Sequence, residues 1–323
     1  MPDQINNLNT SDCPLISIIT PSFNQGEFIA ATIESIINQA GDFAIDYIIM
    51  DGGSTDNSVE IMKHYEGLLQ RGEWPIACKG ITFRWKSEKD GGQADAVNKG
   101  FAIARGEILG WLNSDDTYLP GTVAKVVGHF IANPDTVMVY GNAWFTDRNG
   151  TITVKFRSEP FNLKRMAERN IICQPSAFLR REALQAVGAL DQNLHTCLDY
   201  DLWIRFGKVF EKRIDFLNDY LATSRMYADN KTLSLRGLTY HETMLVARRH
   251  FGYVPGVWIV HSILEVIKAP DTPLQEKIST IIGSRLGFLR YLLSPRTLLS
   301  VILLLIRRLT KNKTDADKSY KWN

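Results

Sequence analysis

Leu15 to Thr20 (LISIIT) is a continuous apolar run stopped by Pro21, the pattern of a strand buried on both faces. Phe28, Ile29, Ile33, Ile36 and Ile37 then recur at helical spacing. Ile45 to Met50 predicts a second buried strand, followed by the turn Asp51-Gly52-Gly53 and a short helix through Tyr65. Ile81 to Trp85, Glu107 to Leu112 and Val137 to Tyr140 predict three more strands. Helices over Gln93 to Ala104 and Thr122 to Ala132 alternate with them. This alternation implies βαβ units, an α/β fold and a mainly parallel sheet with right-handed crossovers. Between Gly141 and Asn170 short strand-like pieces mix with polar turns, and helices are expected over Arg181 to Val187 and from near Asp199. From about Leu233 the pattern turns helical, apolar and basic, interrupted at Pro255, Pro270, Pro273 and Pro295. The expected division is residues 14–230 as the α/β domain and 231–323 as a helical extension.

The apolar share, 45% of 323 residues, supports a packed core and excludes a disordered or fibrous chain. The net charge of +2 conceals an asymmetry. Residues 1–230 hold 22 Lys and Arg against 29 Asp and Glu, while residues 231–323 hold 15 against 6. An acidic body repels phosphate backbones, which argues against nucleic acid as the partner, and a basic tail suits an anionic membrane surface. Four widely spaced cysteines without a CxxC pair read as reduced, mostly buried thiols. The polar stretch Met1 to Cys13 lacks the order of a signal peptide. The longest uncharged apolar stretch, Thr297 to Ile306, would span about 15 Å as a helix, half of a bilayer core. A cytoplasmic, non-spanning protein is expected.

Polar residues collect just after the strands: Phe23-Asn24, Asp51, Glu88 with Asp90, and Asp115-Asp116. In an open parallel sheet the ligand crevice lies beyond the carboxyl ends of the strands, so four turns deliver side chains to one edge. Two adjacent carboxylates repel unless a cation sits beside them, and a hard divalent ion, Mg²⁺ or Mn²⁺, takes oxygen ligands shared with substrate phosphates. Asp-Asp is also a common turn or cap pair. The glycines after Asp51 permit a tight turn, and Asp51 could accept hydrogen bonds from a base edge or ribose. Thr55, Asp56 and Asn57 read as caps of the next helix. Asp199 and Asp201, two apart at a helix start, point in different directions, so one of them could be a general base and either could be a capping acid. Neither GxGxxG nor GxxxxGK[ST] occurs.

Six segments in order, ISIITPSFNQ, IIMDGGSTDNS, SEKDGGQADAVNKG, GEILGWLNSDD, QPSAFLRREAL and LDYDLWIRF, resemble glycosyltransferase family 2, inverting enzymes of the GT-A fold. They extend over residues 15 to about 206. The resemblance implies that Pro21 and Phe23 stack on the nucleotide base and that Asp51 reads it. It lays Asp90, Gly92 and Asp95 along the ribose and diphosphate. It puts Asp115 on the ribose side, Asp116 and Asp115 at a divalent metal, and Asp199 as the general base that deprotonates an acceptor hydroxyl. Two positions depart from the family pattern: Asn113 stands where many relatives carry an acid, and Arg225-Met226-Tyr227 where relatives often have Arg-x-His. Tyr227 cannot supply a nitrogen ligand, whereas the Arg225 guanidinium could hold phosphate.

The expectation is a metal-dependent, inverting transferase that moves a sugar from a UDP-linked donor to a glycan or lipid-linked oligosaccharide of a bacterial cell-surface polysaccharide, such as O-antigen or capsule. A nucleotidyltransferase would show a basic phosphate loop after the first strand, and PSFNQGEF has no basic residue. A non-catalytic sugar-nucleotide-binding subunit is the other alternative, favoured by Tyr227 and opposed by the acids. In the tail, Trp258 to Ile267 and Leu298 to Ile306, the latter followed by Arg307, Arg308, Lys311 and Lys313, predict helices. These either meet the cytoplasmic face of the inner membrane or pack on protein.

Overall fold

The computed structural model describes residues 13–268 and 294–310. The polar segment before Cys13, the prolines at 270 and 273, and Lys311 and Lys313 lie outside the described residues. The chain divides into two compact units. One comprises the residues up to Met166 together with Asn170–Ser234, and the other Ala167–Arg169 together with the residues from Leu235 onward.

The first unit is built on a single sheet. Its strands are β1 (Leu15–Ser22), β2 (Gly41–Asp51), β3 (Cys78–Ser87), β4 (Ile108–Trp111), β5 (Thr117–Tyr118), β6 (Met138–Thr146), β7 (Ile152–Phe156), β8 (Ala177–Arg180) and β9 (Ile214–Arg225). They run in the order β3-β2-β1-β4-β8-β6-β9-β5, with β7 on β6. The half β3-β2-β1-β4 is entirely parallel. In the other half β6–β9 is parallel, whereas β8 is antiparallel to both β4 and β6 and β5 is antiparallel to β9. The helices are α1 (Ile29–Ile37), α2 (Ser58–Gln70), α3 (Gln93–Ile103), α4 (Thr122–Ala132), α5 (Leu163–Glu168), α6 (Arg181–Val187), α7 (Leu198–Phe210) and α8 (Lys231–Ser234).

The apolar run of β1 is buried on both faces, as a central parallel strand covered by helices must be. Ile16 and Ile18 join one core with Ile29, Ile33 and Ile36 of α1 and Val123, Val126 and Phe130 of α4. Ile19 points the other way, onto α3, where a Cβ on Gly100 would lie 2.4 Å from its Cγ2. A side chain there would push helix and strand apart, which explains a glycine in mid-helix. Behind the site-bearing ends lies a buried polar knot. Asp46 of β2 accepts from Arg84 Nε (3.0 Å) and Nη2 (2.6 Å), from Ser17 Oγ (2.7 Å) and from the backbone N–H of Arg105 (3.0 Å). One carboxylate thereby ties together β1, β2, β3 and the turn after α3.

Several elements go beyond the sequence reading, among them the short strands β5 and β8. The strand expected over Val137 to Tyr140 continues to Thr146, and a twelve-residue strand, β9, fills the region between α7 and the tail. Most of β9 is half-buried, so its sequence IDFLNDYLATSR shows neither strict alternation nor a continuous apolar run.

The second unit contains α9 (Arg236–Phe251), α10 (Gly256–Lys268) and α11 (Pro295–Thr310). Met244, Val254 and Ile259 form its core, with Trp258, Ile263 and Val301 against it. The indole of Trp258 donates to the Ala167 carbonyl (2.7 Å). Among the described residues no helix is long and apolar enough to cross a membrane.

Candidate active site

Every turn that follows a parallel strand on the β3-β2-β1-β4 half opens on the same edge. After β1, Pro21 is buried beside Met50, while the ring of Phe23 is 58% exposed, a bare aromatic face at the lip of the sheet. Asn24 adopts a left-handed backbone (φ 52°), and its Oδ1 accepts from the Thr55 N–H (2.9 Å). Asparagine tolerates this conformation because its short side chain bonds locally.

Asp51 ends β2. Its Oδ2 accepts from the N–H groups of Gly53 (3.1 Å) and Ser54 (2.9 Å) and from Ser87 Oγ (2.6 Å), and its Oδ1 from Ser54 Oγ (2.6 Å). The carboxylate therefore organises the turn that presents it, and Ser54 Oγ in turn holds the Asn24 N–H (2.7 Å). Asp56 receives the Gly26 N–H, the Ser58 N–H and Ser58 Oγ, the capping duty expected of it. Asp90 lies against the same turn, since a Cβ on Gly52 would come 3.0 Å from its carboxylate. Gly92, at φ +101°, sits in a region that side chains avoid and donates its N–H to Asp90 Oδ1 (2.8 Å). Asp95 is engaged inside α3, with the Gly91 N–H (2.9 Å) and the Lys99 ammonium (2.8 Å), and the hydrogen bond from Lys99 holds its carboxyl below the usual range.

The acid pair lies between β4 and β5. Asp116 is 3% exposed, and both of its oxygens have protein donors: Oδ1 the Arg225 N–H (2.9 Å), Oδ2 the Asn113 carboxamide (3.3 Å). Asp115 is less buried, and its Oδ2 accepts from the Tyr227 hydroxyl (3.2 Å). Burial pushes both carboxyls up, and for Asp116 the adjacent Asp115 charge adds to the effect, well above the ordinary value. Arg225 partly offsets this. Its Nε holds the Asp115 carbonyl (3.0 Å), its Nη1 the Arg148 carbonyl (2.5 Å), and its guanidinium lies 4.7 Å from the Phe28 ring centre. The fork is thus a clasp between the acid pair and the β6–β7 turn.

Asn113 is the junction of this edge. Its Oδ1 accepts from Gln93 Nε2 (2.8 Å) and the Trp111 indole (2.9 Å), and its Nδ2 donates to Gln174 Oε1 (3.0 Å) as well as to Asp116. Gln93 Oε1 accepts from Lys231 Nζ (2.9 Å). The loop that carries Gln174 also carries Asn170, whose Nδ2 donates to Asp199 Oδ2 (3.3 Å). Between them, the buried Cys173 thiol is pushed up by burial, with the charges of Asp116 and Asp199 adding to it. The Asn113 and Asn170 carboxamides tie the two acids to this one loop. Burial raises Asp199 itself to about 6, against hydrogen bonds from the Tyr200 backbone and Asn170. Asp201 points elsewhere. It is 2% exposed and paired with Arg205 Nε (2.8 Å), whose other nitrogens hold the carbonyls of Val187, Gly188 and Ala189.

The structure thus gathers Phe23, Asp51, Asp90 and Gly92 at one end of the edge, and Asp115, Asp116 and Arg225 in its middle. Asp199, at the start of α7, is hydrogen-bonded to the Asn170–Gln174 loop, and Asp95 is drawn into α3. Sequence reasoning gave no role to Gln93, Gln174 or Asn170. The two glutamines stand inside quoted motifs, and only their neutrality hid them, while Asn170 carries no signal. Among the described residues no group of three or more His, Cys, Asp or Glu side chains is arranged so that it could hold a metal ion. A cation here would rest on the acid pair and on substrate oxygens, a donor set of oxygens alone that suits Mg²⁺ or Mn²⁺.

Comparison with known proteins bears on the fold and the family. An uncharacterized glycosyltransferase of Methanocaldococcus jannaschii is 27% identical over 220 residues, 67% of this chain and 72% of its own. The structure of S. aureus TarS 1–349 in complex with UDP-GlcNAc superposes with a TM-score of 0.53 at 17% identity, covering 81% of this chain and 69% of that one. Of a longer TarS structure the chain spans 41%. The mannosyltransferase PcManGT of Pyrobaculum calidifontis, in complex with GDP-Man and Mn²⁺, gives 0.51 at 15% identity, covering 94% and 89%. At such identities the structures establish the fold, an α/β GT-A fold with a curled, mostly parallel sheet. The pattern that defines Glycosyl transferase family 2 matches residues 17–188, more than half of the chain, and the chain belongs to that family.

Proposed function

We propose that this protein transfers a sugar from a UDP-linked donor to a hydroxyl of a glycan or lipid-linked oligosaccharide, with inversion at the anomeric carbon. The pathway is assembly of a bacterial cell-surface polysaccharide of the O-antigen or capsule type, at the cytoplasmic face of the inner membrane. The observation that carries the reading is the arrangement of Asp116 and Asp199 around the Asn170–Gln174 loop, tied to it through the Asn113 and Asn170 carboxamides. A carboxyl held at about 6 is ionised at neutral pH yet basic enough to take a proton in a transition state.

Phe23 offers its exposed ring to the base, and the Asp51 turn with Asp90 and Gly92 borders the ribose and diphosphate. Asp115 and Asp116 would hold a divalent cation, and that cation supplies charge neutralisation to the departing nucleoside diphosphate. The fit rests on two carboxyls that burial leaves short of positive charge. The complexes of TarS with UDP-GlcNAc and of PcManGT with GDP-Man and Mn²⁺ support a nucleotide-sugar donor and such an ion. Asp199 takes the proton of the acceptor hydroxyl as that oxygen bonds to C1 of the sugar and the C1–O bond to the diphosphate breaks. One displacement inverts C1 and leaves nucleoside diphosphate, glycoside and a protonated Asp199. Arg225 acts as a positioning residue, because its nitrogens hold carbonyls on either side of the acid pair.

The test is a panel of nucleotide sugars with and without Mn²⁺, read by thermal shift and by slow donor hydrolysis. Metal-dependent stabilisation and turnover of one donor are expected. Metal-dependent binding without turnover, on any acceptor, would leave a sugar-nucleotide-binding subunit instead.

A further inference from the structure

The helix α11 is packed on one face and leaves the opposite, aliphatic face exposed. On one, Thr297 is fully buried and its Oγ1 accepts from the Val254 N–H (3.3 Å), Ser300 Oγ accepts from the Gly256 N–H, and Val301 packs on the Met244–Val254–Ile259 core. On the other, Leu298 is 49% exposed, Leu299 56%, Ile302 44% and Leu303 46%. At 100° per residue these four lie together, opposite Thr297, Ser300 and Val301. The inner hydrogen bonds fix the rotation of the helix, so the outer stripe cannot turn inward to hide. Four adjacent aliphatic side chains at roughly half exposure are a contiguous patch, which marks an interaction surface more often than a plain solvated one.

Charge selects the occupant. Residues 231–323 carry 15 Lys and Arg against 6 Asp and Glu, and Arg307, Arg308, Lys311 and Lys313 follow the stripe directly in sequence. A second copy would bring the same positive charge against itself, whereas anionic lipid headgroups complement it and the acyl boundary takes the leucines. We infer that Leu298, Leu299, Ile302 and Leu303 form a lipid-inserting face that seats on an anionic membrane surface. The seat is interfacial, since among the described residues no helix is long and apolar enough to cross a membrane. This inference stands on the second unit alone and does not depend on the transferase reading.

The experiment is co-sedimentation of the full chain with vesicles of phosphatidylcholine alone or with about one-third phosphatidylglycerol, at low and high salt. Binding is expected to the anionic vesicles, to fall with salt, and to weaken at least tenfold in the double variant Leu299→Ser, Leu303→Ser. The control Leu245→Ser, which removes a leucine 40% exposed on α9, should bind like the parent. Melting temperatures of both variants report folding, and the parent's own lipid and salt dependence decides the matter if the double variant fails to fold. Three results would overturn the inference. One is a stable dimer in sedimentation velocity that loses its association in the double variant and ignores vesicles. Another is a monomer that binds neither vesicle, its stripe covered by the chain itself. The third is vesicle binding equal in parent and double variant.

Discussion

Replacing Asp199 by asparagine should make the protein inactive and more stable at once. Burial holds this carboxyl at about 6 rather than the ordinary 3.8. At about 1.4 kcal/mol per pH unit, its ionised form costs the folded state up to about 3 kcal/mol at neutral pH, and partial exposure to solvent lowers this to roughly 1–2 kcal/mol. The sign follows from proton uptake. An acid whose folded pKa lies above its unfolded pKa binds more protons when folded, so its contribution favours folding in acid and is lost as pH rises from about 4 to about 6. Asparagine has no charge to bury and keeps an acceptor for the Asn170 carboxamide, which now reaches Asp199 Oδ2 at 3.3 Å. Urea unfolding of parent and Asp199→Asn at pH 4, 5, 6 and 7 should give curves that converge at the acid end and separate by about 1–2 kcal/mol above pH 6. Transfer should be abolished while donor binding by calorimetry stays intact, and the parent's kcat/KM should fall below about pH 6 as the base is protonated. A variant less stable than the parent at pH 7, or a stability gap that does not vary with pH, would refute the argument, and surviving transfer would remove Asp199 as the base.

Three further substitutions probe the frame around it. Asp46→Ala strands Arg84, of which only 15% of the side chain is exposed, and should cost about 3–5 kcal/mol in urea unfolding; a loss under 1 kcal/mol would show the knot to be dispensable. Asn113→Asp turns the donor toward Asp116 Oδ2 and Gln174 Oε1 into an acceptor. It should therefore lower metal-free stability by about 1–3 kcal/mol and make Mn²⁺ more stabilising than in the parent, as thermal melts with and without the ion can check. Arg225→Lys keeps a charge but cannot clasp the carbonyls of Asp115 and Arg148 together, so the urea midpoint should drop by an amount equal to about 1–3 kcal/mol; an unchanged midpoint would mean the clasp is incidental.

The parallel half of the sheet was legible because its strands are buried on both faces and read as mostly apolar runs, LISIIT and IDYIIM, in which the only interruptions are Ser17, Thr20 and Asp46. Its turns stood out through glycines and acids, which is why Asp51, Asp90, Asp115 and Asp116 could be named from the sequence. The mixed half hid itself. β9 is half-buried along most of its length, and the hydrogen bond from the Arg225 backbone to Asp116 is invisible to any pattern of side chains. Duties within the site were also obscured. Asp51 spends both oxygens on its own turn, Arg225 spends its fork on carbonyls, and the carboxamides Gln93, Asn113 and Gln174 do the joining. Neutral side chains announce no chemistry in one dimension. Asp199 and Asp201 looked alike in the sequence, and only the Arg205 pairing of the second separates them.

The pairing of β5 with β9 bears on how the site is born on the ribosome. The ladder from β3 to β4 is complete once Trp111 has emerged, although Asn113 and Gln93 at its edge later gain Gln174 and Lys231 as partners. Asp116, by contrast, waits 109 residues for the Arg225 backbone, and Asp115 waits 112 for the Tyr227 hydroxyl. A nascent chain therefore carries the complete parallel half of the sheet with an unfinished acid pair while those 109 residues are added. At about 5–20 residues per second this interval is on the order of ten seconds, and the pair is complete only when β9 docks.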